Sequence, residues 1–167
     1  SELVAALGFR PAAAQALYLE NYLDTPIEQA LAAASNREVD RASLVEVGNL
    51  VTAQAGGARW LIAALTAYLQ AAGAAWAVFT AVRELRNAFA RRGIELVPLA
   101  VADSARLAPA ERAQWGRYYD TQPMVMAASV SQSFAALEAW FERTRDPHRV
   151  KPLWHGALVA GAAARAA

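Results

Sequence analysis

The 167-residue chain has no cysteine, which excludes disulfides, thiolate chemistry and Cys-based metal sites. Histidine is almost absent as well. His148 and His155 do not share the spacing of helical metal ligands, so no metal site is expected. Charge is scarce and balanced: charged residues make up 19% and the formal net charge is +1, which removes the electrostatic case for nucleic acid. No N-terminal signal pattern is present. The absence of cysteine leaves the compartment open, and with no signal pattern a cytoplasmic location is expected. Apolar residues are abundant instead. At 56% hydrophobic, the chain is long enough and apolar enough for one domain with a real core.

The longest uncharged run, Trp60–Val82, is long enough to cross a bilayer. Its interior reads differently, because Gln70 and Gly73 divide it into a helix over 59–72 and a strand over 75–81. The helix places Leu61, Leu65 and Tyr68/Leu69 on one face. The strand is apolar on both faces, as expected of a central parallel strand covered on both sides. Buried core is therefore the expectation, with a membrane span as the alternative.

Around this run the chain alternates strands and helices. Residues 1–9 read as a short strand stopped by Pro11, and Leu17–Leu23 alternates as a strand or extended segment. Asp24 or Thr25 is expected to cap a helix from Pro26 to Ala34. Leu44–Leu50 is an apolar strand in which Gly48 and Asn49 suggest a bulge splaying it from its neighbour. A basic amphipathic helix over 82–92 is closed by Gly93. Ile94–Val101 is a further strand, demoted by Pro98 to an edge or a bulge. A short helix over 109–115, a last strand over 124–130 and a helix over 133–144 begun by Ser131 or Ser133 complete the pattern. Residues 146–167 read as a Pro/Gly/Ala tail, either floppy or partner-binding.

The segment Val45–Gly93 thus reads as a β-loop-α-β-α unit whose first helix crosses between parallel strands. Its loop, Gln54 to Arg59, contains adjacent glycines before a helix. Such a loop lets backbone approach a ligand and leaves first-turn N–H groups free for an anion, with Arg59 adding a charge-assisted bond. A tight turn with no ligand explains Gly56 and Gly57 equally well.

VEVGNL (45–50), this Gly-rich loop, FTAVRELRN (79–87) and WGRYYDTQPMVMA (115–127) together resemble the thermostable hemolysin family over roughly residues 1–140. Members of that family are similar in fold to GNAT-type N-acyltransferases and, more distantly, to acyl-homoserine-lactone synthases. The resemblance implies an α/β fold: a GNAT-like mixed twisted sheet with helices on both faces, here lacking the N-terminal strand and helices. It divides the chain into an N-terminally incomplete domain, 1–145, and a C-terminal tail, 146–167. It also implies a donor, acyl-CoA or acyl-carrier protein, with no permanently bound cofactor. Gln54, Gly56, Gly57, Ala58 and Arg59 would receive the pyrophosphate, Arg59 standing where the family's loop has a small residue. Main-chain groups near Leu50 and Val51 would hold the thioester carbonyl. Phe89 stands where many such enzymes carry a tyrosine acid.

The expected activity is transfer of an acyl group to an amine. Glu46, inside an apolar strand, is the candidate base if it lies in a cleft, and otherwise a solvated strand residue. Tyr119, in the polar-aromatic cluster Tyr118–Asp120, is the substitute acid, although aromatics of this kind also wall cores. Glu20, Asp24 and Asn49 are the candidate acceptor contacts, the two acids having a structural alternative as strand edge and helix cap. Two other classes stand beside the enzyme: a non-catalytic acyl-ligand or protein-binding module, and a membrane-active hemolysin. A homodimer is a further open expectation.

Overall fold

The computed structural model describes residues 5–52, 57–144 and 150–167. Five strands form one sheet: β1 (Ala5–Pro11), β2 (Leu44–Thr52), β3 (Trp76–Ala81), β4 (Val97–Val101) and β5 (Met124–Ser129), in the order β1-β2-β3-β5-β4. Only β2 and β3 run parallel; the other pairs are antiparallel. The helices are α1 (Ile27–Ser35), α2 (Gly57–Ala72), α3 (Arg83–Ala90), α4 (Pro109–Gln114), α5 (Val130–Arg143) and α6 (Val150–Ala166). The fold is the mixed α/β sheet expected from the sequence.

The parallel connection follows from the uncharged run. Gly73, at φ +85°, ends α2, and the chain re-enters the sheet as β3, whose Val78 and Ala81 are fully buried. One apolar cluster lies under α1 and the turns around it, with Leu19, Ile27, Leu31, Leu44 and Val78 at its centre. A second gathers Ile62, Phe79, Phe89, Met126 and Leu137 on the opposite face, beneath α2, α3 and α5. Among the described residues no helix is long and apolar enough to cross a membrane.

Two glycine and proline signals match the backbone closely. Between Ala6↔Val51 and Gly8↔Gly48, β1 advances two residues and β2 three, so β2 carries one extra residue at Asn49–Leu50. Such a bulge bends its strand. Pro98 lies on the sheet's edge strand, and β4 also bulges between Pro98 and Ala100.

Several segments differ from the sequence expectation. Residues 18–22 form a turn of 3-10 helix, not a strand, because the N–H groups of Leu17, Tyr18 and Leu19 donate to carboxylates rather than to a neighbouring strand. Neither Asp24 nor Thr25 caps α1: Pro26 holds the N-cap position, and the Ile27 N–H donates to Glu20 at 3.0 Å. The strand expected from Ile94 starts only at Val97. Helix α5 begins at Val130, where the Ser129 hydroxyl accepts from the Gln132 N–H; Ser133 lies buried within it.

Residues 150–166 form a helix packed along α2. Trp154 stacks on Phe134 with centroids 4.7 Å apart and meets Phe141 edge-on. Gly161 sets the closest approach of the two helices: a Cβ there would collide with the Tyr68 carbonyl oxygen and press on Ala71. Gly161→Val should therefore cost about 1–3 kcal/mol through overpacking, despite the better helix propensity of valine. Gly156, also in α6, has open space around it, so Gly156→Ala should stabilise by up to about 1 kcal/mol. Thermal melting of the two variants checks this pair of opposite signs.

Candidate functional site

The sheet opens between β2 and β3. The strands pair only over Leu44–Glu46 and Trp76–Val78, after which β2 continues to Thr52 and β3 to Ala81 without pairing to each other. Each remains fully engaged on its other side, β2 with β1 and β3 with β5. The bulge at Asn49–Leu50 lies on the diverging part of β2, and α2 starts beyond it at Gly57. Among the described residues, the main-chain groups on the facing sides of these two segments therefore have no ladder partner on the opposite strand.

Glu46 occupies the last paired position, beside the start of this gap. Its side chain is only 12% exposed. One carboxylate oxygen accepts the Tyr18 N–H at 3.0 Å and the other the Leu19 N–H at 2.9 Å, with an Arg10 nitrogen 3.9 Å away. A carboxylate has about four acceptor sites, so Glu46 holds the turn and retains capacity for another donor.

Glu20 is more fully committed. Arg41 donates to its two oxygens at 2.7 and 3.0 Å, and the Leu17 and Ile27 N–H groups donate at 2.8 and 3.0 Å. Arg41 also binds Glu28 at 2.8 Å and the Ala12 carbonyl at 3.0 Å. The Arg41 hydrogen bonds, aided by the two backbone donors and opposed by partial burial, hold the Glu20 carboxyl down to about 2 from its ordinary 4.5. Asp24 is exposed and pairs with Arg106; both line a groove of about 500 Å³ together with Tyr22 and Val101.

Tyr119 shares a 2.5 Å hydrogen bond with the Tyr22 hydroxyl. Burial, followed by the adjoining Tyr119 hydroxyl, pushes the Tyr22 hydroxyl far above the usual tyrosine range. Trp115 contacts Tyr18, Tyr118 and Tyr119, so the cluster read from the sequence extends to the 18–22 turn. Glu46, Glu20 and Tyr119 are thus each joined to that one turn, although not to one another.

Those of the remaining expected residues that are described lie on β2 and at the start of α2. Asn49, Leu50 and Val51 belong to the bulged end of β2, with Val51 opposite Ala6. Gly57 and Ala58 begin α2, and Arg59 is exposed in its first turn over the Trp60 ring, 4.5 Å from the centroid. Gln54 and Gly56 lie outside the described residues. Phe89 is buried against Phe79, with centroids 5.2 Å apart. Among the described residues, no three His, Cys, Asp or Glu side chains gather to hold a metal.

Sequence reasoning passed over Glu111 and Trp115 as a pair. Four residues apart on and just after α4, they border a hollow of about 300 Å³ with Tyr18 and Gln114. The i, i+4 spacing within a short helix was visible, but Tyr18 joins them from a segment read as strand.

A family model described as thermostable hemolysin matches residues 1–134. No curated protein matches the sequence. Among solved structures, a CoA-dependent acyl-homoserine lactone synthase, BjaI, with SAM and isopentyl-CoA, is similar with a TM-score of 0.52 and 15% identity, over 83% of this chain and 59% of that one. A second CoA-dependent acyl-homoserine lactone synthase, MesI, is similar with a TM-score of 0.54 and 12% identity, over 86% and 65% respectively. At such identities the likeness shows the fold, and this chain spans about three-fifths of the length of those proteins.

The Glu20 bonds have a pH signature. Because its folded pKa is depressed, their stabilisation is complete above the ordinary 4.5 and is lost as pH falls through about 2. With allowance for screening by the adjoining solvent, roughly 1–3 kcal/mol should disappear across that window. In urea unfolding, the stability advantage of wild type over Glu20→Gln should shrink between pH 5 and pH 2. A constant difference would show that the ionised carboxylate is not what holds the turn.

Proposed function

This chain belongs to the thermostable hemolysin family, and we propose that it transfers an acyl group from a CoA or carrier-protein thioester to an amine. The single observation that carries this reading is the parting of β2 and β3 after Glu46 and Val78. An extended pantetheine arm needs main-chain partners along its length, and two diverging parallel strands offer them. The start of α2 would add first-turn N–H groups suited to phosphate oxygens, with Arg59 in the same turn. The fold shared with two CoA-dependent synthases supports the choice of donor.

In the proposed reaction the neutral amine attacks the thioester carbonyl carbon. The carbon–nitrogen bond forms, the carbon–sulfur bond breaks, the amine loses a proton and the thiolate leaves with the electron pair. Glu46 is the base in this reading, since two donors leave part of its acceptor capacity open. N–H groups near Leu50 and Val51 stabilise the oxyanion. Tyr119 remains the candidate acid for the thiolate, through its hydroxyl, which is hydrogen-bonded to that of Tyr22. Glu20, saturated by Arg41 and two backbone donors, is left as structural support.

A binding module without catalysis is the second reading. It is favoured by Glu46 serving the 18–22 turn and by Phe89 filling core where many GNAT enzymes carry a tyrosine.

CoA or an acyl-CoA should raise the melting temperature by binding the folded state alone. Gly57→Asp should abolish that shift while the protein stays folded, because a carboxylate is compatible with the start of a helix but repels phosphate. Absence of a shift with CoA, acyl-CoA and acyl-carrier protein would remove the thioester reading. A shift without turnover on any amine would favour the binding module.

A further inference from the structure

The hollow beside the 18–22 turn has the composition of a cation site. Its lining is Tyr18, Glu111, Gln114 and Trp115. Two walls are aromatic, with the Tyr18 and Trp115 centroids 6.1 Å apart and their planes inclined by 45°. Trp115 donates from its indole nitrogen to the Tyr18 hydroxyl at 3.1 Å, which fixes the angle between the walls. Tyr118 backs Trp115 at 5.2 Å, and Trp115 remains 38% exposed.

The third wall carries charge. Glu111 is half-buried and has no ion-pair partner among the described residues. It faces the Tyr18 hydroxyl, whose ionisation is suppressed first by burial and then by this carboxylate. The neighbouring Arg112 does not neutralise Glu111; it donates to the carbonyls of Ser104, Ala105 and Leu107. Those bonds fasten α4 to the preceding turn, so Glu111 and Trp115 project from a held element. A carboxylate with no ion-pair partner, beside two aromatic walls, attracts a monocation by charge and by ring quadrupole together. A volume of about 300 Å³ is at the small end for organic ligands and suits a compact head group.

We infer that Glu111, Tyr18 and Trp115 form a binding site for an organic ammonium group, and that this site anchors the acceptor. The assignment as acceptor rests on the acyl-transfer reading, whereas cation binding itself does not. Tyr18 couples the two places, because its ring walls the hollow and its backbone N–H binds Glu46. The acceptor implied has one cationic group to occupy the hollow and a second, neutral nitrogen to react. A diamine or an amine bearing a quaternary ammonium fits that description, and Glu20 and Asp24, engaged by Arg41 and Arg106, are not needed for it.

Calorimetric titration with n-butylammonium and tetramethylammonium at constant ionic strength tests the site, with n-butanol as the neutral counterpart. Saturable binding of the cations and none of butanol is expected. Glu111→Gln and Trp115→Leu should each weaken cation binding by at least about tenfold, while both variants stay folded and keep the CoA-induced shift. Equal binding of butanol and butylammonium, or unchanged cation affinity in both variants, would overturn the proposal. Cation binding that depends on Glu111 in a protein that binds no thioester would leave the site standing and remove its role as acceptor anchor. Thioester binding without cation binding would overturn the cation site and leave the acyl-transfer reading standing.

Discussion

A single turn of 3-10 helix, held by two carboxylates, governs the face of the sheet where the candidate chemistry lies. Glu20 and Glu46 take the N–H groups of Leu17, Tyr18 and Leu19, and Arg41 joins Glu20 to α1 and to the end of β1. Backbone donors with no strand partner would be costly in a half-buried position. The turn in turn presents Leu19 and Tyr22 to the core and the Tyr18 ring to Trp115. Removing either carboxylate would therefore disturb packing, the aromatic cluster and the approach to the gap together.

The gap depends on a different constraint. Parallel neighbours normally pair along their length, and β2 and β3 begin to do so. The extra residue at Asn49–Leu50 bends β2 while β1 follows it, and β3 stays with β5. Each strand is thus satisfied on its outer side, and the unpaired groups collect on the inner side. Helices α2 and α6 close one face, their close approach allowed by the absent side chain at Gly161.

Much of this was legible because local and tertiary signals agreed. The uncharged run Trp60–Val82 contains its own stop in Gly73, the bulge is marked by Gly48–Asn49, and Pro98 identifies an edge. The misread segments were those whose partners are distant in sequence. LYLENYL alternates like a strand, yet its fate is decided by Glu46, 28 residues from Tyr18. Residues 150–166 have the composition of a tail, and only the groove offered by α2 explains why small residues there are useful. In the candidate site, Glu46 could be placed beside the gap from its strand. The saturation of Glu20 by Arg41 could not be read from spacing, nor could the meeting of Glu111 with Tyr18.

The central claim is that the unpaired inner edges of β2 and β3 receive an acyl thioester. Amide hydrogen exchange with and without a nonhydrolysable acyl-CoA analogue tests it most directly. Slowed exchange confined to the diverging segments, Val47–Thr52 and Phe79–Ala81, together with the first turn of α2, is the predicted result. Unchanged exchange there at saturating ligand would contradict it, as would protection that appears only elsewhere on the protein.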